Sequence, residues 1–170
     1  MRYRMEKKVF KSRVGMIYIH ILIALLFIGW SASKSSGNYV PLIILGSCAV
    51  FAFFAFRSIK YILTEKEIVV YYLGFNTGKF FLSAITSVER SYNPLDAPAA
   101  SGKRLRFKFK EGYKWSRYFS NSPFFIILNP AISPVREEEF LETLKAINPN
   151  IQINVTDKKG LWWRFLGWDI

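Results

Sequence analysis

From residue 14 to residue 56 the chain carries one charged group, Lys34, and it does so between flanks dense in charge. Within that block, residues 14–32 (VGMIYIHILIALLFIGWSA) and 40–56 (VPLIILGSCAVFAFFAF) are uninterrupted apolar runs separated by the polar heptapeptide SKSSGNY. As helices they would be about 28 Å and about 25 Å long, a match to the hydrocarbon thickness of a bilayer. Pro41 falls in the first turn of the second run, where its missing N–H has no helical acceptor to satisfy. A linker of seven residues lets the second helix do nothing but turn back beside the first. The sequence therefore predicts a transmembrane helical hairpin, with spans at 14–32 and 40–56.

Two other readings of the block, a signal peptide cleaved near Ser31-Ala32-Ser33 and a buried soluble hairpin, are less favoured. A cleaved signal peptide has a shorter apolar core and is not followed at once by a second apolar run. A soluble buried hairpin would need the remaining 114 residues, 57–170, to cover two helices that are apolar all round. Charge then orients the spans. Residues 1–13 form a basic arm with Arg2, Arg4, Lys7, Lys8, Lys11 and Arg13 against Glu6, and Arg57 and Lys60 follow the second span. The positive-inside rule puts both termini in the cytoplasm of a multi-pass inner-membrane protein. Trp30 and Tyr39 then lie at the outer interface, where amphipathic rings are favoured. His20, inside the first span, is either a proton-relay group or an imidazole hydrogen-bonded to Ser47 or reaching for the inner interface; no acidic residue in either span supports a relay.

Composition narrows the chemistry. One cysteine, Cys48, lies in the second span, and one histidine in the first, so neither a disulfide framework nor a Cys/His metal site is expected. No Gly-rich phosphate loop occurs, and no nucleophile has a base near it in sequence. Asp96, Asp157 and Asp169 sit apart, and Glu137, Glu138 and Glu139 fit the first turn of a helix. No catalytic residue, metal or cofactor is predicted, and the expectation is a non-enzymatic protein.

Beyond residue 57 the apolar period shortens to that of strands. Segments 61–64 and 67–73 (YILT, EIVVYYL) flank a tight Glu65-Lys66 turn. Gly74, Asn76 and Gly78 suggest a second turn before 79–83, and 85–90 (ITSVER) alternates. In 104–110, Leu105, Phe107 and Phe109 face one way and Arg104, Arg106, Lys108 and Lys110 the other. Residues 124–128 read as a central strand. Ser133-Pro134, the three glutamates, and Phe140, Leu141, Leu144 and Ile147 read as the cap, first turn and apolar face of a helix that Asn148-Pro149-Asn150 stops.

The order is that of an α+β domain: antiparallel strands forming a small barrel or bent sheet, capped by one C-terminal helix. YILTEKEIVVYYLGF, FLSAITSVERSYNPLDAPAAS, KRLRFKF and ISPVREEEFLETLKAINPNI together resemble the bacterial pleckstrin-homology-like (PH-like) domains, in particular the YyaB-like group, over about residues 59–153. The resemblance implies a PH-like fold at 57–155, commonly placed after N-terminal spans, and no assigned activity. An aromatic tail, 156–170, follows.

Two surfaces are candidate contacts. Arg104, Arg106, Lys108, Lys110, Lys114 and Arg117 form a basic segment suited to anionic lipid headgroups or an acidic partner, or else a solvated face that protects a sheet edge. In the tail, Trp162, Trp163, Phe165 and Trp168 suit a membrane-interface anchor, or packing against the domain. Nucleic acid is not expected, because Phe107 and Phe109 lie opposite the basic row rather than among it. The function expected is a membrane-anchored scaffold or binding protein presenting a PH-like domain. The alternative is an accessory subunit of a transport or envelope complex in which the hairpin, through Gly29, Gly46, Ser47 and Ala49, recognises the partner.

Overall fold

The computed structural model describes residues 7–93, 96, 101–113 and 130–157. The predicted strand at 124–128 and the aromatic tail beyond residue 157 lie outside the described residues, as do Lys114 and Arg117.

The two apolar runs are helices: α1, Met16–Ser36, and α2, Val40–Arg57. Both are long and apolar enough to cross a membrane. The turn between them is tighter than the polar linker suggested, because α1 continues through Ser36 and only residues 37–39 remain. Gly37 takes φ +68°, a left-handed conformation that stops α1 at no steric cost. Asn38 and Ser33 then start α2: the Val40 N–H donates to Asn38 Oδ1 (3.0 Å) and the Leu42 N–H to Ser33 Oγ (3.0 Å). The helices approach closely at Gly29, where a Cβ would lie 3.2 Å from both Leu42 Cα and Leu45 Cβ. Gly46 has only ordinary contacts, Ala49 is buried between the helices, and Ser47 and Cys48 are exposed. His20 Nδ1–H donates to the Met16 carbonyl one turn back in its own helix (2.8 Å). Outward, Ile21, Ile23, Phe27, Ile28, Ile43, Ile44, Phe51 and Phe54 are all more than half exposed.

The rest is two packed sheets and a helix. The first sheet has the order β1-β2-β3-β4, all antiparallel: β1 Lys8–Lys11, β2 Lys60–Leu63, β3 Glu67–Tyr72 and β4 Phe75–Phe81. The second has the order β7-β6-β5-β8: β5 Ile85–Ser91, β6 Arg104–Phe109, β7 Ala131–Ile132 and β8 Gln152–Asn154, the last parallel to β5. Helix α3, Glu137–Ile147, lies between β7 and β8 in sequence. Of the two forms expected, the open one is found: among the described residues the sheets do not close into a barrel. They pack face to face through Phe10, Tyr61, Leu63, Ile68, Phe80, Val88, Leu105, Phe107 and Ile132, and Phe140 and Leu144 of α3 close the core.

Two expectations need correction. Residues 8–11, read as part of a basic arm, are an edge strand paired in register with β2 (Lys8 with Leu63, Lys11 with Lys60), and Phe10 is a core residue stacked edge-on against Phe140 at 5.2 Å. The whole α1–α2 hairpin is thus an insertion between two neighbouring strands of one sheet. Ser133-Pro134 also does not cap α3. Ser133 follows strand β7, its N–H donates to Tyr61 Oη (3.3 Å), and its hydroxyl meets Ser12 Oγ at 3.0 Å. The helix begins at Glu137, so its first turn still carries the three glutamates.

Candidate functional site

The hairpin gives the domain two ends. Lys60, three residues beyond α2, starts β2 at the hairpin-proximal end; the Glu65-Lys66 turn, about 13 Å of strand away, marks the distal end. Strand β6 runs along the same direction. Arg104 at its start reaches Tyr18 in the first turn of α1, with Nη2 donating to Tyr18 Oη (2.5 Å), whereas Lys110 just past its end lines a groove that also includes Glu65.

This direction decides what the basic segment does. From Arg104 to Lys110 is about 20 Å of extended chain, pointing away from the hairpin rather than lying flat beside its base. Arg104 is 1% exposed; alternation alone would place it with Arg106 in solvent, but the start of α1 and the loop before β6 cover that end of the outer face. Its guanidinium donates to the backbone carbonyls of Asp96 and Ser101 and to Tyr18, so it fastens this loop to the helix base. Arg106 is paired with the fully buried Asp96 (2.7 Å) and donates to Ser91 Oγ. Lys108 is paired with Glu89 (2.6 Å). Arg104 is thus held by carbonyl and hydroxyl acceptors, Arg106 and Lys108 by carboxylates, and Lys110 has no ion pair among the described residues. The acids that pair with Arg106 and Lys108 stand in the loop before β6 and on β5, so the row on β6 carries less free charge than its own residues suggest.

A second network lies beside it. Arg90 on β5 makes a two-pronged pair with Glu137 of α3 and reaches Asp157 (2.7 Å), which also accepts from Lys103 (2.5 Å). Burial opposes ionisation of Asp157, but the hydrogen bond and charge of Lys103, with the charge of Arg90, outweigh it and hold the carboxyl below its usual range. Burial pushes the Tyr61 phenol above its ordinary value, with the Ser12 hydrogen bond opposing.

At the hairpin-proximal rim the charges are unlike those on β6. Lys11 and Lys60 stand directly opposite each other in the β1–β2 register, followed across the sheet by Tyr71 and Asn76, with Arg57 one turn away. None of these three cations has an ion pair among the described residues, and all are exposed. Like charges facing each other across a ladder are unfavourable unless something anionic lies over them.

The β3–β4 turn closes the same rim. Tyr72 pairs with Phe75, leaving Leu73 and Gly74 as a two-residue loop with φ +51° and +86°. Both positive angles define the type I′ turn, which favours Asn-Gly; a leucine in the left-handed region costs about 1–2 kcal/mol. The Leu73 N–H donates to Ser58 Oγ (2.8 Å), and Ser58, the C-cap of α2, in turn donates to the Ala55 carbonyl (2.6 Å).

At the distal end an open groove of about 570 Å³ lies between β5, Lys110 and the end of α3. Its floor is Leu82, Ile85 and Ile147, and its walls are hydroxyls and amides: Ser83, Thr86, Ser87, Asn148, Asn150 and Gln152. Strand β8 pairs β5 only from Ser87 onward, so the edge of β5 at Ile85 and Thr86 opens into the groove.

Two stacked sheets closed by a C-terminal helix, with a pair of apolar helices set into the first sheet, define a PH-like domain carried on candidate membrane helices. Residues 59–118 match the family model described as the bacterial PH domain. Over those residues the chain is similar to the bacterial PH domain. The match supports the domain type and not the narrower YyaB-like grouping. No curated protein and no solved structure matches the chain.

Proposed function

We propose that this protein is a membrane-anchored, non-enzymatic binding module that crosses the inner membrane twice and presents its PH domain at the cytoplasmic surface. The observation that carries the reading is the β1–β2 ladder. Because strands on either side of the hairpin pair with each other, both outer ends of the spans lie on one side, and the domain is built onto the base of the anchor rather than trailing from it. Two helices with apolar side chains on every outward face support the crossing. The basic residues around residues 7–13 and 57–60 support the cytoplasmic side.

In this arrangement contact with anionic headgroups falls to Lys11, Arg57 and Lys60 at the rim, not to Arg104 or Arg106, and the distal groove beside Lys110 is where a cytoplasmic partner docks. The aromatic tail fits the same picture. Strand β8 runs toward the hairpin, the chain reaches Asp157 beside Arg90 and Lys103, and Trp162, Trp163, Phe165 and Trp168 all follow within the next eleven residues.

The accessory-subunit reading is less well supported, since Gly29 spends its close-approach surface inside the hairpin. A photo-activatable side chain at Thr86 in intact membranes tests the two. The binding module yields a discrete adduct that survives replacement of the outward-facing residues of α1 and α2 by leucine. Loss of the adduct on that replacement would favour the accessory subunit, and no adduct at any groove position would contradict the binding module.

A further inference from the structure

The tip of the β3–β4 hairpin is an apolar knob whose side chains are exposed. Phe75 is 74% exposed and Leu73 40% exposed, the largest exposed hydrophobics of the first sheet apart from Val9 on the edge strand β1. A solvent-facing type I′ turn is ordinarily built from polar or glycine residues, because they adopt it without strain. Here the strained position holds leucine, and the residue after the loop is phenylalanine.

Its position is fixed. The bond from Leu73 N–H to Ser58 Oγ ties the loop to the residue that ends α2, directly after the apolar stretch Phe53 to Phe56. The exposed cations Arg57, Lys60 and Lys11 flank it, and Tyr71 and Tyr72 stand behind it on β3. Apolar and aromatic side chains at the end of a span, ringed by basic groups, are what a headgroup region accommodates: rings and branched chains enter, and ammonium and guanidinium groups remain among the phosphates.

We infer that the Tyr72–Phe75 tip, through Leu73 and Phe75, is a third membrane contact that inserts into the inner-leaflet interface beside the two spans and fixes the tilt of the PH domain on the bilayer. The occupant of this surface is lipid. The inference rests on the membrane reading proposed above and adds to it a contact made by the sheet itself, which keeps the distal groove facing the cytoplasm.

The test uses the full chain in liposomes, with Cys48→Ala removing the native thiol and an environment-sensitive fluorophore placed in turn at Phe51→Cys, Phe75→Cys and Lys66→Cys. Brominated phospholipids report lipid contact and aqueous iodide reports water. The expected result is that labels at 51 and 75 are quenched by brominated lipid and severalfold less by iodide than the label at 66, in the distal turn. Introducing Leu73→Asn, which suits the turn better but removes the apolar side chain, should shift the label at 75 toward iodide quenching while leaving 51 unchanged. If the label at 75 behaves like that at 66 while 51 stays lipid-quenched, the insertion is wrong and the spans stand. If 51 is also iodide-accessible, the membrane reading beneath it has failed.

Discussion

Arg104 shows how a residue can be read correctly for type and wrongly for role. Its strand, its alternation and its sheet were all legible in the pattern of 104–110. The cover over one end of the outer face was not, since it comes from Tyr18, more than eighty residues earlier, and from the loop carrying Asp96. Its three acceptors make it structural. Arg104→Met should leave two buried carbonyls and a tyrosine hydroxyl without a donor and destabilise the protein by on the order of 3–5 kcal/mol. Lys110→Met, at the exposed end of the strand, should change stability by no more than about 0.5 kcal/mol. Thermal unfolding of both variants in detergent checks the contrast, and equal effects would contradict it. Asp157 adds a pH dependence. Its carboxyl titrates lower in the folded than in the unfolded protein, so its contribution is complete above the usual aspartate range and is lost as pH falls through the depressed value. Asp157→Asn should flatten the acid limb of the stability profile, measured by unfolding midpoints across pH.

Among the elements, those with a strong local period were legible and those defined by distant pairing were not. The two long apolar helices announce themselves by an absence of charge, and α3 by Phe140, Leu144 and Ile147, which the structure places on its inner face. Strand β1 is four residues long, carries a lysine at each end, and finds its partner only across the intervening hairpin, so nothing local distinguishes it from a solvated arm. Its lysines guard an open sheet edge, a common use of the residue. They also create the Lys11–Lys60 juxtaposition. Each basic group near an anionic surface contributes about 1 kcal/mol. The protein should therefore be more stable in nanodiscs containing phosphatidylglycerol than in phosphatidylcholine by up to about 2 kcal/mol from this pair. The double variant Lys11→Gln/Lys60→Gln should lose most of that difference; an unchanged difference would place the lipid contact elsewhere.

For the whole molecule, the consequence is that the helical hairpin and the domain are not separable at residue 57. A fragment of residues 57–170 lacks β1, leaves the edge of β2 unpaired and uncovers Tyr61 and Leu63 where Phe10 packed. It should associate or precipitate, as unpaired edges do. Because the Ser12 N–H already bonds the Ile59 carbonyl at 3.0 Å, residues 7–13 can be joined to residue 58 by a short Gly-Ser turn in place of the hairpin. That chain should be monomeric by size exclusion and sheet-rich by circular dichroism, whereas equal behaviour of the 57–170 fragment would show that β1 is dispensable.

The central claim is that a two-span hairpin inserted between β1 and β2 holds both of those strands on the cytoplasmic face. Labelling of single-cysteine variants with a membrane-impermeant thiol reagent in sealed vesicles of known sidedness, in the Cys48→Ala background, tests it most directly. Asn38→Cys should react only from the outer face, and Lys8→Cys and Lys66→Cys only from the inner face. Reaction of Lys8→Cys and Lys66→Cys from opposite faces, or of all three from the same face, would contradict the account.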